Sequence, residues 1–136
     1  MQFLLDKFLE YIKKADHILK VTYPKTKEEK LFLEGINNLY YGTKSLVMFV
    51  SKKPELPIAK QVKILENNPA FSELIRTFKQ LNFLMKSYKN DLISFKRKDS
   101  FIICTNNYKV EVITLSLLTD LLEKVIELYQ FAMRHP

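Results

Sequence analysis

At 136 residues, with 47% hydrophobic and 27% charged side chains, the chain has the composition of one folded domain with a substantial core, which excludes a disordered tail. Its net charge of +7 is unevenly placed: residues 76–109 hold eight Lys and Arg against Asp91 and Asp99, a net +6, whereas residues 110–136 hold two cations against four carboxylates. The single Cys104 excludes an internal disulfide and suits a reducing, cytoplasmic compartment, and no apolar run approaches the roughly 18 residues of a membrane span.

The N-terminal segment MQFLLDKFLEYIKKADHILK lacks a basic region ahead of its apolar residues and reads as neither a signal peptide nor a span. Over about residues 2–22 it predicts an amphipathic helix, with Leu4, Leu5, Phe8, Tyr11, Ile12, Ala15, Ile18 and Leu19 on one face. Pro24 is expected to stop this helix. Thr26-Lys27-Glu28-Glu29 has the form of a capping box and predicts the start of a second helix, over about 27–51. That helix is apolar on most sides, which places it centrally, and its narrow polar stripe is Glu34, Asn37, Asn38, Lys44 and Ser45. Gly35 and Gly42 are seven residues apart on one face and point to a close helix crossing.

Pro54 and Pro57 mark a loop, followed by a short helix at about 58–67. Asn68-Pro69 then has the cap-and-proline form of a helix start, and Phe71, Leu74, Ile75, Phe78, Leu81, Leu84, Met85 and Tyr88 carry that helix to about residue 89. The period changes over about 92–113, where Ile, Val, Phe and Tyr are frequent. Tyr108, Val110 and Val112 alternate with Lys109, Glu111 and Ile113, and Thr105-Asn106-Asn107 reads as a hairpin turn. Arg97-Lys98-Asp99 fits an earlier turn, giving a two- or three-stranded meander that must pack on helices to be stable. Thr114 is the expected cap of a last helix at about 115–134. The expected fold is mainly α: a single domain over residues 1–136, a four- to five-helix bundle with a small β-hairpin inserted before the C-terminal helix.

Catalytic chemistry finds little support. There is no G-x-S-x-G, no Gly-rich phosphate loop and no H-E-x-x-H. Cys104 ends an apolar Phe-Ile-Ile-Cys strand, where a thiol is an inert small hydrophobe, and two His with one Cys are too few ligands for zinc. We therefore expect no enzyme activity, no cofactor and no metal. His17 sits among Lys13, Lys14 and Lys20 on the polar face of the first helix and reads as an exposed surface histidine; Asp16, His17 and Tyr23 form a candidate functional surface. The basic segment is the better candidate. Lys96, Arg97 and Lys98 are consecutive cations beside Phe95 and Phe101, with Tyr108 and Lys109 on the neighbouring strand and Lys86 and Lys89 as outer support. Cations on a β-ribbon beside aromatics suit a phosphate backbone with base stacking. The same lysines also suit the guarding of an exposed sheet edge.

The segment Ala15-Asp16-His17, five residues on to Tyr23-Pro24, together with the basic Phe95–Cys104 stretch, resembles a group of small archaeal helical proteins of unassigned function. The antiparallel first two helices are distantly similar to HEPN domains, which implies a helical bundle that dimerises and acts on RNA. HEPN ribonucleases carry an Arg followed by a His after four to six intervening residues. Here Arg76, Arg97 and Arg134 are not followed by a histidine at that spacing, so the resemblance implies a non-catalytic relative. The expected function is a nucleic-acid-binding module, for RNA, using the basic hairpin. The alternative is a protein-interaction or homodimerising scaffold, motivated by the apolar second helix, its Gly35/Gly42 line and the acidic last helix.

Overall fold

The computed structural model describes residues 1–89, 94–97, 100–104 and 110–135. Helix α1, Gln2–His17, buries Leu4, Phe8, Ile12 and Ala15 at the three- and four-residue spacing of one helical stripe. The helix does not stop ahead of Pro24. It widens into a π-helical turn over Ile18–Thr22 and continues as α2, Tyr23–Thr26, with Pro24 in the first turn of α2. A proline inside an α-helix lacks the N–H donor and its ring collides with the carbonyl four residues back. The π turn, closed by the Tyr23 N–H on the Ile18 carbonyl, opens the backbone where that collision would fall.

The predicted capping box is not formed. Thr26 ends α2, where its hydroxyl donates to the Thr22 carbonyl at 3.2 Å and accepts from the Glu28 N–H at 3.3 Å. Lys27 takes the left-handed conformation, φ 55°, and its N–H returns to the Tyr23 carbonyl. The chain reverses there, and Glu28 becomes the extended residue before α3, Glu29–Ser51.

Helix α3 is central, packing against α1, α5, α6 and the short α4, Ile58–Glu66. The glycine line lies in the crossing with α1. A Cβ on Gly35 would stand 2.7 Å from Leu19 Cδ2, and one on Gly42 would stand 3.0 Å from Ile12 Cδ1. Ser45, expected on the polar stripe, is buried instead; its hydroxyl donates back to the Tyr41 carbonyl, which lets a serine occupy an apolar position. The loop after α3 is pinned from α4. Gln61 is 1% exposed, its Nε2 donates to the Leu56 carbonyl at 2.7 Å, and its Oε1 lies 3.1 Å from the Ser51 hydroxyl.

Asn68 caps as expected, its Oδ1 accepting from the Ala70 N–H; a 3₁₀ turn over Pro69–Phe71 leads into α5, Ser72–Lys89. The strands β1, Ser94–Arg97, β2, Ser100–Cys104, and β3, Val110–Thr114, form an antiparallel sheet in the order β1-β2-β3. The hairpin is therefore one half of a three-stranded meander. Its rows are set by register: Phe95, Ile102 and Val112 lie opposite one another, and Lys96, Phe101 and Ile113 form the next row. Val112 is 49% exposed and Ile113 is fully buried, so at β3 the first row opens to solvent and the second closes on the helices. Thr114 ends β3 and also caps α6, Leu115–Arg134, accepting from the Leu117 N–H at 2.9 Å.

One buried cluster joins α1, α3, α5 and α6 with Leu65 of α4 and Ile113 of β3. The architecture is mainly α, a helical bundle with the small sheet inserted before the last helix. Among the described residues, no helix is long and apolar enough to cross a membrane.

Candidate nucleic-acid interface

The positive segment divides into two parts along α5. At its start, Glu73 draws in two cations: it is paired with Arg76 one turn on, and Lys124 of α6 lies 3.3 Å from its Oε2. Partial burial raises the Glu73 pKa, but the hydrogen bonds and charges of Lys124 and Arg76 outweigh this and hold the carboxyl below its ordinary 4.5. Lys79, the next cation, pairs with Glu66 of α4. Arg76 and Lys79 are thus matched to carboxylates outside the segment.

The charge beyond them differs. Lys86 is exposed on α5 and has no ion pair among the described residues. Lys89 is the last residue of α5, and Lys96 and Arg97 are the last two of β1. Lys98 and Lys109 lie outside the described residues, as do the Asn106-Asn107 turn and Tyr108. From Lys86 onward the sequence to residue 109 holds six cations against Asp91 and Asp99, a net +4. Within this segment the excess of cations in the sequence therefore lies toward the end of α5 and the sheet.

The two phenylalanines expected to flank the cations fall in different rows. Phe95 stands in the row that opens at Val112, and Phe101 in the row that closes at Ile113. Adjacent cations Lys96 and Arg97 also fall in adjacent rows, and β1 borders the sheet with β2 as its single described neighbour.

The second candidate surface is not assembled as expected. Tyr23 is completely buried, edge-on to Phe32 with ring centroids 5.3 Å apart, because the helix continues past residue 22 and carries it into the core. Asp16 turns to Lys20, at 3.2 Å. His17 is exposed and lies in an open depression between α1 and α3 with Lys13, Glu34 and Asn38. The structure thus separates Asp16, His17 and Tyr23. Among the described residues, no group of three or more His, Cys, Asp and Glu could hold a metal ion.

Sequence reasoning missed the Glu73–Lys124 contact, which joins residues 51 positions apart and leaves no local signal. The Glu73–Arg76 pair, three apart on one helix, was readable from spacing. No family model, no curated protein and no solved structure matches the chain.

Proposed function

We propose that the chain is a non-catalytic nucleic-acid-binding module that grips the phosphate backbone of single-stranded RNA with the end of α5 and the sheet. The carrying observation is the division of charge: the cations at the start of α5 are matched to carboxylates, and the six from Lys86 to Lys109 face only two aspartates in their segment. Mobile phosphates are the natural counter-charge for such a region. Phe95 shares a register row with the exposed Val112, and an aromatic at that position is a candidate for base stacking. No ribonuclease chemistry is proposed, since the Arg and His residues lack the required spacing.

The test is binding of a labelled single-stranded RNA across a salt series. Five phosphate contacts give a slope of log K against log salt of roughly −3.5, at about −0.7 per contact. Replacing Lys96, Arg97 and Lys98 with Ala should weaken binding and flatten the slope, and an unchanged slope would sink the assignment. Phe95→Ala should weaken binding by about 1–3 kcal/mol if a base stacks in its row. Phe101→Ala should instead lower stability, because its row leads into the core.

A second reading is a homodimerising scaffold, favoured by the exposure of Val110 and Val112 on β3. An apolar strand at the border of a sheet can pair with a second copy. The glycine line no longer supports this reading, since α1 occupies it. Light scattering that finds a monomer at high concentration removes the scaffold; a dimer dissociated by Val112→Lys favours it.

A further inference from the structure

A groove of about 480 Å³ opens where the C-terminal ends of α3, α4 and α6 converge, on residues the RNA reading does not use. Its size falls in the range of pockets that enclose a drug-sized molecule. Phe49, Ile64 and Phe71 give it apolar walls. Ala70 and Ala132 also line it, and their single methyl groups leave the space that larger residues would fill.

The polar groups gather as donors. Lys52, at the end of α3, has no carboxylate partner among the described residues. Asn68 uses its Oδ1 on the Ala70 N–H, so its amide nitrogen remains as a donor. His135 completes the rim, its ring 4.4 Å from that of Phe131. No acidic side chain is among the described residues that line the groove. Three helix C-termini would by themselves favour a cation, because each carries a partial negative charge. Here the ends are tied back: the Lys52 N–H bonds the Phe49 carbonyl, the Asn68 N–H that of Leu65, and the His135 N–H that of Phe131. The full charge of the exposed Lys52 ammonium then outweighs the remaining partial charges.

We propose that this groove binds a small amphiphile with an apolar body and a single carboxylate, the body between Phe49, Ile64 and Phe71 and the carboxylate at Lys52 and Asn68. The test uses octanoate, octan-1-ol and octylammonium, titrated into the full chain by calorimetry and followed by methyl NMR. Octanoate should bind saturably, one to one, with a Kd below about 1 mM. The methyl signals of Ile64 and Ala132 should shift with it. Lys52→Gln should weaken octanoate several-fold and leave octan-1-ol unchanged. Ala70 is exposed, so Ala70→Phe should fold and lose about tenfold or more in octanoate affinity.

Absence of saturation, or octylammonium binding as tightly as octanoate, overturns the proposal. So does retained octanoate affinity in a folded Ala70→Phe variant. If that variant does not fold, the unaltered chain decides: octanoate shifts confined to methyls remote from Ile64 and Ala132 overturn the site. Shifts of those two methyls with protein concentration alone, without ligand, make a second copy the occupant and overturn it equally.

Discussion

Gly35 is where one missing methyl group decides the packing of two helices. A methyl there would have to displace Leu19, whose Cδ2 lies 2.7 Å from the position and which is itself buried. Alanine gains roughly 1 kcal/mol over glycine in a helix interior, while overpacking a filled site costs typically about 1–3 kcal/mol. Gly35→Ala should therefore destabilise the fold by about 1 kcal/mol, read from the midpoint of urea unfolding. At Gly42 the nearest atoms are Ile12 Cδ1 at 3.0 Å and Tyr11 Cβ at 3.3 Å, a lesser overlap, so Gly42→Ala should cost less than Gly35→Ala. Stabilisation by Gly35→Ala would refute the close crossing. Gln61 shows the complementary case of a polar residue held in the interior. Its amide can be buried because it is satisfied there, the Nε2 donating to the Leu56 carbonyl and the Oε1 accepting from the Ser51 hydroxyl.

Among the elements, the caps at Asn68 and Thr114 formed as read. Asn68 and Thr114 cap helices because a side-chain oxygen reaches an N–H two or three residues on, a geometry contained in the sequence itself. The failures needed information from outside the segment. Pro24 does not end its helix, because a π turn makes room for the ring, and the reward for continuing is the burial of Leu19 and Tyr23 against α3. Thr26 does not open α3, because Lys27 reverses the chain in a left-handed conformation seldom adopted by lysine. The candidate surface at Asp16, His17 and Tyr23 was lost with the first of these. The basic segment was legible as charge, but the pairing of Arg76 and Lys79 was not wholly so, since Glu66 and Glu73 lie outside it and Lys124 comes from another helix. That network has an acid dependence. The folded-state pKa of Glu73 is depressed, so its contribution is present above the ordinary 4.5 and fades as pH falls through the lower folded value. Glu73→Gln should thus lower the urea midpoint near pH 7, and the gap to the parent chain should close below about pH 4.5. A gap that persists at pH 3 would show that the ion pairs are not its cause.

The whole molecule pairs a helical core with an appended sheet. The core draws on α1, α3, α5 and α6, and the sheet enters it through Ile113. The described ion pairs lie along the bundle, and the sequence from Lys86 to Lys109 carries a net +4. The proposed RNA site and the apolar groove then involve separate parts of the chain, so octanoate should leave the salt slope of RNA binding unchanged. β3 passes into α6 without a loop, and Thr114 belongs to both: it pairs with Ser100 across the sheet and accepts the Leu117 N–H in the first turn of the helix. One residue thus carries the orientation of the sheet into the helix like a welded joint. A molecule that stiffens the strands should slow hydrogen exchange at the Leu117 amide without touching it, making that amide an internal gauge of what happens on the sheet.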